Sequence, residues 1–324
     1  MASIMITGPV DPLVAATLGP FGTAVETPDI AERTLVEHAA DAVAIVCRGE
    51  ARITRAVIDA APRLRVIGRT GVGVDSIDVA RATERGIPVI NTPGANSRSV
   101  AEGALTLALV LLKEVFHWDR QVRTDNWAAR YQLITRDIEG TVLGIVGFGN
   151  IGRTLAGLAL PLGFTVVASD PFVSAADAQA AGVELLPMEE LLSRADVISL
   201  HATLTAATAG LINAAAVARM KRGAVLLNLG RGGLIDGLDI LHDALQDGRL
   251  GAVALDTFEP EPPDLGHPIL GHERCICSPH VLGLTPGAMH RIYTSMTADM
   301  AAVLSGKHPR YCVNPETLPT IAEE

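Results

Sequence analysis

Short apolar runs alternate with amphipathic stretches along the N-terminal part of the chain. The runs that predict buried strands lie at residues 4–7, 43–47, 65–68 and 88–91. The stretches between them that predict helices lie at residues 12–18, 31–38, 54–60 and 78–85. This alternation predicts a small α/β domain with a parallel sheet.

The same alternation resumes in the second half of the chain. Further strands are predicted at residues 142–146, 164–169, 196–201, 224–229, 252–255 and 274–277. Further helices are predicted at residues 151–160, 188–193, 214–220, 236–246 and 286–304, and the last of these returns the chain to the first domain. We therefore expect one domain from residues 1–98 with 289–324, and a second from residues 99–288.

The sequence also indicates where the chain passes from the first domain into the second. Ser99 and Glu102 have the spacing of a capping box, which opens a predicted apolar helix that runs to about Phe116. Residues 117–140 are polar, aromatic and poorly periodic. We hypothesise that this segment reaches a partner subunit.

A glycine motif follows the first strand of the second domain. Gly147, Gly149 and Gly152 form G-x-G-x-x-G between a predicted strand and a predicted helix, and Asp170 ends the next strand. A plain glycine turn is the simpler explanation, but the strand, helix and carboxylate all stand where a dinucleotide motif needs them. Asp170 repels a ribose 2′-phosphate, and residues 171–174 offer no arginine to receive one. The motif therefore predicts NAD rather than NADP.

Composition narrows the class of protein. The net charge of −10 argues against a nucleic-acid or anionic-membrane partner, and the longest apolar run, 104–112, is too short to span a bilayer. The start of the chain has no basic region typical of a signal peptide. The four cysteines show no disulfide framework, and the Cys275-Ile-Cys277 run is typical of a strand rather than of metal ligands. We expect a cytoplasmic protein without a bound metal.

Three polar residues follow predicted strands of the second domain. His280 can exchange a proton with a substrate hydroxyl, Glu261 can orient its imidazole, and Arg231 can form paired hydrogen bonds with a carboxylate. Each has a structural alternative, as a turn residue or a solvated surface residue. Their joint position beside a dinucleotide motif favours oxidation of a 2-hydroxy acid. His201, at another strand end, is expected to contact the cofactor.

The segment of residues 71–75 follows a predicted strand and precedes a helix. Its backbone N–H groups could hold a carboxylate. Equally, it could be a turn in which Asp75 caps a helix over residues 76–85. The sequence leaves both interpretations open.

Six segments extend these patterns over most of the chain. They read GRTGVGVDSID (68–78), INTPGANSRSVAE (90–102), GIVGFGNIG (144–152), NLGRGGLID (228–236), ALDTFEPEP (254–262) and SPHVLGLT (278–285). In this order they resemble the D-isomer-specific 2-hydroxyacid dehydrogenases. The resemblance implies an α/β fold of two doubly wound parallel-sheet domains around a cleft. One is a flavodoxin-like substrate domain, and the other is a Rossmann dinucleotide domain through which dimers form.

The resemblance also implies roles for individual residues. The implied catalytic residues are Arg231, Glu261 and His280. The expected cofactor-binding residues are Gly147, Gly149, Asn150, Ile151, Gly152, Asp170, His201, Thr203 and Asp256. The expected substrate-binding residues are Val72, Gly73, Val74, Asn96 and Arg231. Thr203 stands where the family usually has proline, Gly230 replaces the usual small side chain, and Glu261 replaces the glutamine of the formate dehydrogenase branch.

The first half of the chain most resembles 3-phosphoglycerate dehydrogenases. Arg48, Arg69 and Arg130 are candidate partners for a substrate phosphate. Reduction of glyoxylate or hydroxypyruvate is the close alternative. A nucleotide-sensing binding protein, similar to the transcriptional corepressors of this family, is an alternative from another class.

Overall fold

The computed structural model describes residues 2–319, which form two compact units. Unit 1 combines the N-terminal part of the chain, up to Asn96, with the segment that starts at Pro286, and unit 2 comprises Ser97–Thr285. Both divisions fall at the first residue of a long helix, close to the predicted domain boundaries. Within residues 2–319, no helix is long and apolar enough to cross a membrane.

Unit 1 is built on a five-stranded parallel sheet. Its strands are β1 (Ser3–Ile6), β2 (Thr23–Glu26), β3 (Ala42–Cys47), β4 (Val66–Arg69) and β5 (Val89–Ile90), in the order β2-β1-β3-β4-β5. With helices numbered along the whole chain, this unit holds α1 (Pro12–Leu18), α2 (Glu32–Ala39), α3 (Arg55–Asp59), α4 (Val79–Glu84) and α12 (Pro286–Leu304). This strand order is the flavodoxin-like one, as predicted.

Unit 2 is built on a seven-stranded parallel sheet. Its strands are β6 (Val142–Val146), β7 (Thr165–Ser169), β8 (Glu184–Leu185), β9 (Val197–Leu200), β10 (Ala224–Asn228), β11 (Leu250–Leu255) and β12 (Cys275–Cys277). Its helices are α5 (Ser97–Leu112), α6 (Val115–Arg123), α7 (Asn150–Ala159), α8 (Ala175–Ala180), α9 (Met188–Arg194), α10 (Ala214–Arg219) and α11 (Asp239–Gln246). The strand order is β12-β11-β10-β9-β6-β7-β8.

Both sheets are doubly wound, with an apolar core on each face. All residues of β3, β9 and β10 are buried, which explains why these strands are almost entirely apolar in the sequence. The strand order reverses between β1 and β3 in unit 1, and between β6 and β9 in unit 2. Ligands bind beyond the carboxyl ends of the strands at such points.

Three short elements were not predicted: β2, α8 and β8. All four residues of β2 are exposed, and β8 has only two residues, so neither forms an apolar run. Helix α8 is short, and alanines make up most of it, so it lacks an amphipathic stripe. These elements depend on pairing and packing against neighbours that are distant in the sequence.

The predicted capping box is wrong. Ser99 lies inside α5, where its hydroxyl is 2.9 Å from that of Thr285, and Glu102 pairs with Arg98 one helical turn earlier. The apolar helix also ends at Leu112 rather than near Phe116. Glu114 adopts a left-handed conformation with φ of 52° and separates α5 from the next helix.

Two further expectations need correction. Residues 117–140 are poorly periodic in sequence and no helix was predicted there, but residues 117–123 belong to helix α6. Its single apolar stripe is exposed, so the helix has no buried residue. In unit 1, Asp78 rather than Asp75 caps the helix, and its carboxylate accepts the N–H of Arg81 at 2.8 Å.

Candidate active site

The glycine loop lies between β6 and α7 of unit 2. Gly147 has φ of +92°, and a side chain there would come within 2.6 Å of the Ala202 nitrogen. A side chain at Gly152 would overlap the carbonyl oxygen of Gly147. In contrast, among the described residues, open space lies beside Gly149 and no side chain caps the N-terminus of α7. The loop therefore leaves room and N–H donors for a pyrophosphate.

Asp170 lies directly after β7 and is held against the glycine loop. Its Oδ2 accepts the N–H of Phe148 at 2.8 Å, and its Oδ1 accepts the N–H of Phe172 at 2.9 Å. These bonds fix the carboxylate beside the loop, while each oxygen keeps a lone pair for a ribose hydroxyl. Asn150 and Ile151, which were also predicted to bind the cofactor, begin helix α7.

His201 and Thr203 lie just beyond β9, next to the carboxyl end of β6. The His201 N–H donates to the Val146 carbonyl at 2.7 Å, and its Nε2 is 2.8 Å from the Ser199 hydroxyl. Burial lowers the pKa of His201 to about 4, so the imidazole is neutral at pH 7. Its buried Nδ1 contacts no donor or acceptor within residues 2–319. The Thr203 carbonyl accepts the Thr208 hydroxyl at 2.6 Å, which closes the turn where the family usually has proline.

The structure brings the carboxylate of Glu261 and the imidazole of His280 together. Glu261 Oε2 lies 2.9 Å from His280 Nδ1, and Glu261 Oε1 accepts the N–H of Phe258 at 3.1 Å. Burial raises the pKa of Glu261, but the hydrogen bonds from His280 and Phe258, together with the charges of His280 and Arg231, lower it overall. Glu261 is therefore an anion at neutral pH and accepts the Nδ1 proton of His280.

Arg231 follows β10 through Gly230. The carboxamide of Asn228, at the end of that strand, donates to the Arg231 carbonyl at 2.9 Å and accepts the Gly230 N–H at 3.2 Å. Arg231 Nη1 donates to the Gly230 carbonyl at 2.9 Å. A side chain at position 230 would lie 3.0 Å from Leu234 Cδ1, so the glycine relieves a tight contact. Sequence reasoning missed Asn228, although a polar residue that ends an otherwise apolar strand is a usable signal.

Asp256 ends β11, and only 3% of it is exposed. Its Oδ1 accepts the Ser278 hydroxyl at 2.6 Å and the Val281 N–H at 3.0 Å, and its Oδ2 accepts the Leu282 N–H at 3.2 Å. Asp256 therefore holds the loop that carries His280. Its expected contact with the nicotinamide remains a prediction. Ser278 was also missed, since a serine before proline has no distinctive pattern.

In unit 1, the turn of residues 71–75 lies after β4. The Val72 carbonyl accepts the Asn91 side chain at 2.9 Å, and the Gly73 carbonyl accepts Arg69 Nε at 3.2 Å. Because the C=O and the following N–H of a planar peptide point in opposite directions, the N–H groups of Gly73 and Val74 face away from these partners. This orientation suits the predicted carboxylate site. Asn96 is half-buried and directly precedes α5.

The three arginines predicted to bind a substrate phosphate differ in position and in the contacts of their side chains. Arg69 also donates to the Cys47 carbonyl at 3.4 Å, so its guanidinium supports the 71–75 turn. Arg130, in unit 2, lies over the Tyr131 ring at 4.8 Å and donates to its hydroxyl at 2.6 Å. Arg48 is half-buried directly after β3, at the same sheet edge as the turn. Binding of a substrate phosphate by any of the three remains a prediction.

Comparison with known proteins identifies the family. Residues 105–281, more than half of the chain, match the model of the D-isomer specific 2-hydroxyacid dehydrogenase NAD-binding domain. The chain is 37% identical over 278 residues to the D-3-phosphoglycerate dehydrogenase of Archaeoglobus fulgidus. That match covers 86% of this chain and 52% of the relative, so this chain spans about half of the relative's length.

Solved structures agree with this assignment. A protein from Thermus thermophilus has a TM-score of 0.88 and 32% identity, over 96% of this chain and 99% of that one. A D-lactate dehydrogenase from Aquifex aeolicus, solved with NAD and lactic acid, has a TM-score of 0.86 and 26% identity, over 98% and 97% of the two chains. The chain belongs to the D-isomer-specific 2-hydroxyacid dehydrogenase family, and unit 2 carries its NAD-binding domain.

Proposed function

We propose that this chain is an NAD-dependent dehydrogenase that interconverts a D-2-hydroxy acid and the corresponding 2-oxo acid. The observation that carries the proposal is the Glu261–His280 pair, with Arg231 on the neighbouring strand end. These residues follow β11, β12 and β10, which are adjacent in the sheet of unit 2. All three therefore stand beyond the carboxyl edge that also bears the glycine loop.

His280 is the proton donor and acceptor in this proposal. Held by the glycine loop and Asp170, NAD would supply the hydride acceptor for C2 of the hydroxy acid and, in its reduced form, the hydride donor for the oxo acid. Since Nδ1 of His280 faces Glu261, its Nε2 is the atom that exchanges a proton with the substrate oxygen. The Glu261 carboxylate fixes this tautomer and stabilises the imidazolium. Arg231 supplies a planar, permanent cation for the substrate carboxylate and the carbonyl oxygen.

The other residues predicted to bind the cofactor are assigned to its parts. We assign the cofactor phosphates to Gly147, Gly149, Gly152 and the first turn of α7, and the adenosine ribose to Asp170. His201, Thr203 and Asp256 are assigned to the nicotinamide half. The neutral His201, with its buried Nδ1, suits contact with an uncharged polar group.

We propose that unit 1 binds the substrate. The N–H groups of the 71–75 turn and Asn96 serve the carboxylate, and Arg48 serves a phosphate. The similarity to a 3-phosphoglycerate dehydrogenase supports 3-phosphoglycerate and its oxo acid as the substrate pair. Arg69 and Arg130 donate hydrogen bonds to groups of the protein itself. This favours one alternative, the reduction of unphosphorylated hydroxypyruvate or glyoxylate.

The test is oxidation of NADH with a panel of phosphohydroxypyruvate, hydroxypyruvate, glyoxylate and pyruvate. We expect the highest kcat/KM for phosphohydroxypyruvate. A preference for hydroxypyruvate or glyoxylate would select the alternative. If no compound is turned over although NADH binds, the chain is instead a nucleotide-sensing binding protein of the corepressor type.

We also propose a homodimer that works in the cytoplasm. Several large apolar side chains of the segment from α6 onward are exposed, namely Val115, Phe116, Val122, Trp127, Tyr131 and Leu133. Exposure of several large apolar side chains in one segment supports a protein–protein interface there. The four cysteines are free, which suits a reducing compartment. Sedimentation of wild type and of Leu133→Asp tests the dimer, since the variant should sediment as a monomer.

A further inference from the structure

Two cysteines of β12 lie side by side at the edge of the sheet of unit 2. Cys275 and Cys277 alternate with Ile276, which packs into the opposite core. Their sulfur atoms are 3.6 Å apart. Cys275 is half-buried and Cys277 is exposed. A solvent-accessible thiol therefore contacts a second thiol that is shielded.

The two thiols differ in acidity because a hydrogen bond joins them and Cys275 is the more shielded from water. The hydrogen bond with Cys275 lowers the pKa of Cys277. The same hydrogen bond, together with burial, raises the pKa of Cys275. Burial also raises the pKa of both Cys47 and Cys312. Cys277 is thus the cysteine of this chain that best combines exposure with thiolate character, which are the two requirements for reactivity.

We propose that Cys275 and Cys277 form a reversible dithiol–disulfide site that reacts with low-molecular-weight disulfides such as glutathione disulfide. The Cys277 thiolate attacks one sulfur of glutathione disulfide, forms a mixed disulfide and expels one glutathione thiolate. Cys275 then loses its proton and attacks the Cys277 sulfur, which forms the Cys275–Cys277 bond and expels the second glutathione. The protein loses two electrons and two protons, and both are recovered in two molecules of glutathione thiol.

The backbone makes such a disulfide feasible but strained. Two residues of a strand span about 6.6 Å, near the upper limit of the Cα separation that a disulfide bridges, and their nearly parallel Cβ atoms must approach to about 4 Å. Closing the bond therefore bends the strand, and strained disulfides are readily reduced again. β12 is an edge strand, and within the described residues it pairs only with β11. Strand pairing therefore opposes its bending from one side only.

Bending of β12 reaches the loop of His280. The Ser278 N–H donates to the Leu255 carbonyl at 2.9 Å, and the Ser278 hydroxyl donates to Asp256. Both bonds anchor the residue that directly follows Cys277, and His280 is two residues further on. We therefore expect the disulfide to displace His280 and slow proton transfer. This consequence rests on the proposed function, whereas the thiol chemistry does not.

The experiment is incubation of the full chain with glutathione disulfide, followed by alkylation, trypsin digestion and mass spectrometry. Cleavage after Arg274 and Arg291 leaves residues 275–291 as one peptide, which holds both thiols but neither Cys47 nor Cys312. We expect this peptide to escape alkylation and to have the mass of its unalkylated dithiol form less two hydrogen atoms. After dithiothreitol it should take up two alkyl groups. A stable glutathione adduct without the closed form, or preferential reaction of Cys312, would overturn the proposal.

Two variants test the order of attack. Cys275→Ser should trap the glutathione adduct on Cys277, and Cys277→Ser should leave Cys275 unmodified. An adduct that forms on Cys275 in the second variant would show that the nucleophile is assigned wrongly. Cys312→Ser is the matched control, and its 275–291 peptide should oxidise as in wild type.

Activity gives a separate readout. A displacement of about 1 Å at a reacting group can cost about 10²-fold in rate, so NADH oxidation should fall by that order as the disulfide forms. It should recover on reduction and stay constant in Cys277→Ser. Full oxidation without loss of activity would refute the coupling to His280. If the reduced protein turns over no substrate, the proposed function has failed, and the peptide masses still decide the thiol site.

Discussion

The main-chain N–H of His280 donates to the carbonyl oxygen of Asp256 at 2.8 Å. This bond helps to hold His280 at φ of 51°, a left-handed conformation that is unusual for a residue with a side chain. The Asp256 carboxylate at the same time accepts hydrogen bonds from the residues that flank His280. One buried aspartate thus determines the position of the imidazole, and Glu261 determines its orientation.

Asp256→Ala should destabilise unit 2 as well as slow catalysis. The substitution leaves the N–H groups of Val281 and Leu282 without their acceptor, and the loss of a hydrogen bond to a charged group costs about 1.5–3 kcal/mol. Urea unfolding should show a loss of that order in the free energy of unfolding. Asp137→Ala is the control, because the Asp137 side chain is 96% exposed. Equal stability of the two variants would refute the anchoring role.

Glu261→Gln should move the pH profile. The substitution keeps the shape but removes the charge that stabilises the imidazolium of His280. The alkaline limb of kcat/KM for reduction, which needs imidazolium, should move to lower pH, and oxidation should become possible at lower pH. His280→Ala should instead depress both directions by about 10²–10⁴-fold. If the alkaline limb does not move in Glu261→Gln, the charge of Glu261 does not act on His280.

Asp170 should decide the choice between NADH and NADPH. We expect wild type to prefer NADH, and Asp170→Ala to reduce this preference mainly through the KM for NADH. Asp170→Asn is the matched variant, because it keeps an acceptor for one of the two N–H groups while it removes the charge. It should gain activity with NADPH at a smaller cost in stability. Equal use of both cofactors by wild type would contradict the assignment.

Arg48→Ala should discriminate between phosphorylated and unphosphorylated substrates. A lost hydrogen bond to a charged group costs about 1.5–3 kcal/mol, or roughly 10- to 10²-fold in kcat/KM. The kcat/KM for phosphohydroxypyruvate should fall by this factor, and the kcat/KM for hydroxypyruvate should stay almost unchanged. Arg69→Ala should weaken both, because Arg69 supports the carboxylate turn, and the exposed Arg52 provides a control. Equal losses in Arg48→Ala would argue against phosphate recognition by this residue.

His201 should contribute to acid sensitivity of the fold. Its pKa is about 4 in the folded protein, below the value of 6.5 for an unperturbed histidine. Between these values the unfolded chain binds the additional proton, so stability falls as pH falls through that window. The loss between pH 7 and pH 5 should be about 2 kcal/mol. Urea unfolding of His201→Gln should show a smaller loss, whereas exposed His290→Gln should behave as wild type.

The sequence by itself determined the alternation of strands and helices and the position of the glycine motif. Both depend on local patterns, since buried parallel strands are continuous apolar runs and a phosphate loop needs glycine at fixed positions. For the same reason α1 and α12 begin and end where predicted. The candidates Arg231, Glu261 and His280 could be named because each follows such a run.

Only the tertiary structure decided how these residues are held. Asp256 and Ser278 are distant from each other in sequence but adjacent across β11 and β12, so no local pattern reveals their hydrogen bond. The hydrogen bonds of Arg69 to the Gly73 and Cys47 carbonyls likewise depend on partners that only folding brings into reach. Ser99 and Glu102 show the converse. They have the spacing of a capping box but do not form one, because α5 starts before Ser99 and both side chains contact other residues.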